Sequence, residues 1–86
     1  MPLCYTPGIL QEHLATRRFG GLFDVGHMGY FRIQGPGAVA FLQFVLSNNA
    51  EALDPWQAEY TLIPNETGGV LDDAYLYRFG GDDYLL

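Results

Sequence analysis

The strongest constraint in this sequence is the shortness of the turns between its last three apolar runs. Residues 59–63 alternate as Glu-Tyr-Thr-Leu-Ile. Residues 70–79 read Val-Leu-Asp-Asp-Ala-Tyr-Leu-Tyr-Arg-Phe, and Tyr84-Leu85-Leu86 closes the chain. Only Pro64-Asn65-Glu66-Thr67-Gly68-Gly69 and Gly80-Gly81-Asp82-Asp83 stand between them. Turns this short join antiparallel neighbours, since parallel strands need a crossover of a dozen residues or more. The last third of the chain is therefore expected to be a set of antiparallel strands.

The middle run holds an oddity. Asp72 and Asp73 are adjacent, although Asp has low strand propensity. Alternation puts Val70, Asp72, Ala74 and Leu76 on one face, and Leu71, Asp73, Tyr75, Tyr77 and Phe79 on the other. Asp72 reads as a residue marking an exposed position. Asp73 shares its face with aromatic rings, and two readings stay open for it. One is a carboxylate bonded to backbone amides at a sheet edge. The other is a carboxylate in an aromatic pocket, where desolvation by Tyr75 and Tyr77 raises its pKa and makes it a better proton acceptor. Rings beside one acid suit a planar nitrogen heterocycle that stacks while an N–H donates to the carboxylate.

Upstream, Thr6-Pro7 reads as a helix start with Thr6 as cap. Ile9, Leu10, His13, Leu14 and Arg17 form a stripe to be buried, and Gly20-Gly21 ends the helix. His13 reads as a partly buried structural histidine. Residues 22–25 and 30–34 read as a strand pair around Gly26-His27-Met28-Gly29, with Phe31 and Ile33 inward. Asp24 and His27 make a poor metal site, because no further ligand stands at the required spacing. Gly35-Pro36 leads into a second helix whose core face is Ala38, Phe41, Leu42, Val45 and Leu46, ended by Ser47-Asn48-Asn49. Residues 50–57, with Trp56, form a linker. The fold class is α+β, a mostly antiparallel sheet with two packed helices. No G-x-G-x-x-G fingerprint and no phosphate-binding glycine loop are present.

With 86 residues, the chain is one small domain or a piece of a larger one. It reads as a piece, since residues 2–5 are already apolar and the last run has barely begun. The net charge is −6, there is no Lys, and the cations are Arg17, Arg18, Arg32 and Arg78. That balance argues against nucleic acid or an anionic membrane as partner. No apolar run reaches the ~20 residues of a bilayer span. Cys4 is the one cysteine, so an internal disulfide and a cysteine zinc cluster are excluded. Near a terminus it reads as an inert small hydrophobe.

Several ordered segments carry a resemblance. Gly21-Leu22-Phe23-Asp24-Val25-Gly26-His27-Met28-Gly29 resembles the G-L-F-D-V-S-H-M-G signature of the glycine cleavage system T-protein family, the tetrahydrofolate-dependent aminomethyltransferases. The likeness continues through Gly35-Pro36, Ala40-Phe41-Leu42-Gln43 and Gln57-Ala58-Glu59-Tyr60-Thr61-Leu62. It ends on Asn65-Glu66-Thr67-Gly68-Gly69-Val70-Leu71-Asp72-Asp73 with Tyr77, and residues 1–14 look like the family's opening segment. It covers essentially the whole chain, and family members are several times longer.

The resemblance implies part of the N-terminal folate-binding domain of a larger, multi-domain enzyme. Such an enzyme takes an aminomethyl group from lipoylated H-protein, releases ammonia and forms 5,10-methylenetetrahydrofolate, with tetrahydrofolate as the acceptor. No metal is implied, and no nucleic-acid or membrane partner. The expected compartment is the cytoplasm of a prokaryote or the mitochondrial matrix of a eukaryote. Asp73 matches the family's acid–base residue, which holds the folate and accepts the proton released as the methylene bridge forms. Met28, Tyr60 and Tyr77 match positions that line the folate, while Asp24 and His27 are expected to be structural. Three positions depart: Gly26 replaces Ser, Trp56 replaces the Gly of a Pro-Gly-Gln turn, and Arg32 replaces an apolar residue. Arg32 shares a face with Met28 and Tyr30, where it narrows the pocket or pairs with a ligand carboxylate. The same likeness also fits a folate-dependent demethylase, the folate domain of a sarcosine or dimethylglycine dehydrogenase, or a non-catalytic folate-binding protein of iron–sulfur assembly.

Overall fold

The short turns produce the pairing they dictate. In the structure, a computed structural model describing residues 6–86, β2 (Ala58–Pro64) pairs antiparallel with β3 (Val70–Gly80), and β3 with β4 (Asp83–Leu85). Residues 1–5, Cys4 among them, lie outside the described part. The β2–β3 turn is organised by Asn65, whose Oδ1 accepts from the N–H groups of Thr67 (3.0 Å) and Gly69 (2.7 Å). Gly68 (φ 84°) and Gly81 (φ 51°) supply the left-handed backbone that the two turns need. The fourth strand, β1 (Arg32–Gln34), lies against β4, giving the order β1-β4-β3-β2. Phe31 and Leu86 extend that ladder by exchanging both backbone bonds at 2.8 Å.

One face of the sheet is covered and the other is open. On the covered face, Leu76 and Tyr84 are fully buried against Leu42 of α2 (Ala38–Val45). Ala38, Leu46, Ala50 and Leu53 complete the core, the last two from a turn of 3-10 helix over Ala50–Ala52 and the residue that follows it. Ala38, Leu42 and Leu46 are spaced i, i+4, i+8, one narrow stripe of a helix. Phe41, expected on the core face, lies outside that stripe and is exposed, while Val45 at its edge is half-buried. Each fully buried leucine contributes roughly 2–3 kcal/mol of transfer free energy. The α+β class, the two helices and the antiparallel sheet agree with the sequence reading.

The N-terminal third departs from it. α1 (Ile9–Arg18) starts after Gly8, whose φ of 114° a helix cannot contain, and not at Thr6-Pro7. It buries none of its residues: of the expected stripe only Leu14 is partly covered, and His13 is exposed. Residues 22–25 form no strand, because alternation without a ladder partner gives no hydrogen bonds. Asp24 instead accepts the Gly26 N–H at 2.8 Å, closing the turn that precedes Met28. Phe31, expected inward, is exposed, while Ile33 packs against the core.

Candidate functional site

Asp73 and Tyr60 meet on the open face. Tyr60 lies opposite Tyr75, and Asp73 opposite Leu62, so the two are diagonal neighbours within reach across an antiparallel pair. The Tyr60 hydroxyl donates to Asp73 Oδ2 at 2.8 Å. Holding its proton against a carboxylate raises the Tyr60 phenol above its ordinary value, with partial desolvation adding to the effect. The Tyr75 ring stands edge-on to Tyr60 at 5.5 Å and lies 6.3 Å from Tyr77. These rings and the acid form one strip along the sheet.

The register also separates the two carboxylates. Asp72 shares the face of Leu76, is exposed, and its Oδ1 accepts the Asp73 backbone N–H at 2.9 Å. The Asp73 carboxylate is bonded to a phenol and not to backbone amides, which removes the sheet-edge reading. Its Oδ1 has no partner among the described residues. Tyr75 is the next residue along this face and Tyr77 lies beyond it, so neither encloses the carboxylate, and Asp73 is exposed. The desolvation expected from the sequence is therefore not supplied by these strands.

Tyr60 is fixed from outside the sheet. The free edge of β2 is clamped by residues that follow α2: Asn48 Nδ2 donates to the Tyr60 carbonyl at 2.9 Å. Ser47 exchanges two bonds with Leu62, its N–H to the carbonyl (2.9 Å) and its Oγ from the N–H (3.1 Å). The Asn48 N–H reaches Thr61 Oγ1, on a side chain that is itself buried, at 3.3 Å. Ser47-Asn48-Asn49 reads from sequence only as a helix terminator. Three short polar residues before a strand were the available signal for this clamp.

Of the expected site residues, the structure brings Tyr60 and Asp73 into contact and places Tyr77 further along the same face, beyond Tyr75. Met28 sits in the exposed segment 21–31, which joins the sheet only at Phe31. His27 is exposed beside it. Among the described residues no three His, Cys, Asp or Glu side chains gather as a metal site would require. Among the described residues no helix is long and apolar enough to cross a membrane.

A second cluster occupies the other end of the open face. Arg32 Nε and Nη2 donate to the two carboxylate oxygens of Asp83 at 3.0 and 2.7 Å. That hydrogen bond, followed by the guanidinium charge, holds Asp83 below the usual carboxylate range. The Arg32 guanidinium also lies over the Phe79 ring at 5.6 Å, and Phe79 meets Trp56 edge-on at 5.9 Å. Arg32, Trp56, Phe79, Gly80 and Asp83 line an open concavity of about 520 Å³. Trp56 adopts φ 69°, a left-handed conformation that is costly for a bulky side chain. It is the third residue of a turn closed by the Gln57 N–H to the Asp54 carbonyl at 3.1 Å, where glycine is the usual occupant.

The family model described as the GCVT N-terminal domain matches residues 1–86. An aminomethyltransferase of Thermus thermophilus is 52% identical over all 86 residues, and one of Deinococcus deserti is 50% identical. The chain spans 24% of the length of each. A crystal structure of the glycine cleavage system aminomethyltransferase T of Bartonella henselae superposes with a TM-score of 0.85 at 42% identity. That match covers 99% of this chain and 24% of that one.

Proposed function

The chain belongs to the GCVT N-terminal domain family, and on that premise we propose that it is part of a tetrahydrofolate-dependent aminomethyltransferase of the glycine cleavage system. Residues 1–86 then form part of a larger folate-binding domain, and the aminomethyl donor is lipoylated H-protein. The names of the relatives, aminomethyltransferase in each case, support the reaction class.

The observation that carries the reading is the 2.8 Å bond from Tyr60 to Asp73 on an open aromatic face. The phenol fixes Oδ2 and orients the carboxylate, so that Oδ1 is left to accept from a ring N–H. Fixing one oxygen pre-organises the other. Asp73 then holds the acceptor nitrogen of tetrahydrofolate and takes the proton released as the carbon bridge forms. Tyr75 and Tyr77 offer ring faces and edges to the planar heterocycle. Tyr60, Tyr77 and Met28 are the folate-lining residues of this proposal. Met28 enters this proposal through the resemblance alone, since it lies in the exposed segment 21–31.

The test is Asp73→Asn in the full-length protein, assayed for methylenetetrahydrofolate formation and for folate binding. Turnover is expected to fall by at least about a hundredfold, the usual scale for a general acid–base group, with folate binding still measurable. Unchanged turnover would refute the assignment.

A further inference from the structure

Resting on the function proposed above, we propose that Asn48 is a positioning residue for the acid–base step. Through the Tyr60 carbonyl it sets where the Tyr60 hydroxyl stands, and so the plane of the Asp73 carboxylate. Among the described residues β2 is paired on one side only, with β3. In an antiparallel pair, residues bonded to the partner strand alternate with residues whose N–H and C=O point away from it. Tyr60 and Leu62 are of the second kind. Their carbonyls accept from Asn48 Nδ2 and from the Ser47 N–H, each at 2.9 Å, and the Leu62 N–H donates to Ser47 Oγ. The residue that carries a phenol to Asp73 is therefore one that β3 does not hold by direct backbone bonds. Asn48 holds its carbonyl instead.

The donor is itself rigid. Leu46 and Ala50, on either side of residues 47–49, both belong to the core. Gln43 of α2 donates from Nε2 to Asn49 Oδ1 at 2.8 Å and accepts the Ala50 N–H at 2.7 Å. Asn48 adds its own N–H to Thr61 Oγ1 at 3.3 Å, and its Oδ1 accepts the Asn49 N–H at 2.9 Å. The helix and the core thus fix the amide, and the amide fixes the Tyr60 carbonyl. The 2.8 Å phenol bond then carries that placement to Asp73 Oδ2. Catalytic groups must stand within about 0.5 Å of their productive geometry and depend on supporting bonds of this kind. A misplacement of about 1 Å that arises away from the chemistry can cost about a hundredfold in rate.

The experiment is a kinetic double-mutant cycle in the full-length protein, read as methylenetetrahydrofolate formation from tetrahydrofolate and aminomethyl-loaded H-protein. Asn48→Asp removes the Nδ2 donor and keeps the acceptor for the Asn49 N–H. Tyr60→Phe removes the hydroxyl and keeps the ring and the backbone. Tyr60→Phe is expected to lower kcat about tenfold. Asn48→Asp is expected to lower kcat about fivefold, with KM for tetrahydrofolate changed less than about twofold. In the Tyr60→Phe background the same Asn48 substitution is expected to change kcat less than about twofold, because the hydroxyl through which it acts is gone. The urea midpoint is expected to fall equally in both backgrounds, which separates placement from stability. Asn48→Ala is expected to repeat the kinetic pattern without adding a charge. A loss that persists in full after Tyr60→Phe, or no loss from Asn48→Asp, would overturn the positioning role and leave the proposed function standing. Full-length protein that forms no methylenetetrahydrofolate would overturn the functional reading and the positioning role with it.

Discussion

Trp56 shows how a single residue can be placed against its own backbone preference. The left-handed region costs a side chain with a Cβ about 1–2 kcal/mol, and its edge contact with Phe79 returns about 0.5–1.5 kcal/mol. Trp56→Ala keeps the strain and loses the contact, so it should destabilise the full-length protein by about 1 kcal/mol. Trp56→Gly loses the contact and the strain together, and should be the more stable of the two by about 1 kcal/mol. Urea unfolding checks the ranking, and an alanine variant as stable as the glycine variant would contradict it. At this scale the sequence was partly legible. The face shared by Asp73, Tyr75 and Tyr77 follows from alternation alone, and Trp56 was visible as a tryptophan where a glycine was expected. The pairing of Arg32 with Asp83 was not legible, because 51 residues separate them and only the strand order brings them together.

Among elements, the C-terminal three strands were readable because their turns are local, and glycine and asparagine chemistry is written in the turn itself. α1 and residues 22–25 were misread for the opposite reason. Their apolar patterns predict burial, but burial depends on a partner that lies nowhere among the described residues. The same dependence explains the clamp on β2. Ser47 and Asn48 end α2 in sequence, yet their bonds run to Tyr60, Thr61 and Leu62, a strand that begins ten residues later. Edge strands need such protection, since open backbone groups invite pairing with other chains. Asn48→Ala removes the donor to the Tyr60 carbonyl and should cost about 1 kcal/mol. Asn48→Asp should cost at least as much, because a carboxylate offers that carbonyl no hydrogen. Chemical denaturation of both variants measures the effect, and an aspartate variant as stable as the parent would rule the clamp out.

For the whole molecule, two acids pull stability in opposite directions with pH. Asp83 is held below its ordinary 3.8 by Arg32, so its contribution is present above that value and is lost as pH falls through the depressed one. Burial raises Glu59 above its ordinary 4.5, and its Oε1 is buried without a partner among the described residues. The neutral form is favoured there, so that contribution is complete below 4.5 and is lost as pH rises through the raised value. Glu59→Gln should therefore raise the melting temperature at pH 7 and give no gain near pH 4. Asp83→Asn should lower the melting temperature at pH 7, with the difference closing in stronger acid. Scanning calorimetry across that range reads both effects, and identical curves for parent and variants would dismiss them. The sheet order has a further consequence, which concerns time. β2 and β3 are joined by a five-residue turn, so the Tyr60–Asp73 end of the face is closed by contacts local in sequence. β1 is made long before β4, yet among the described residues β4 is its one neighbour in the sheet. Closing so long a loop is the slow step of such a topology. In folding, the acidic end of the face is therefore expected to form first, and Arg32 to meet its carboxylate later.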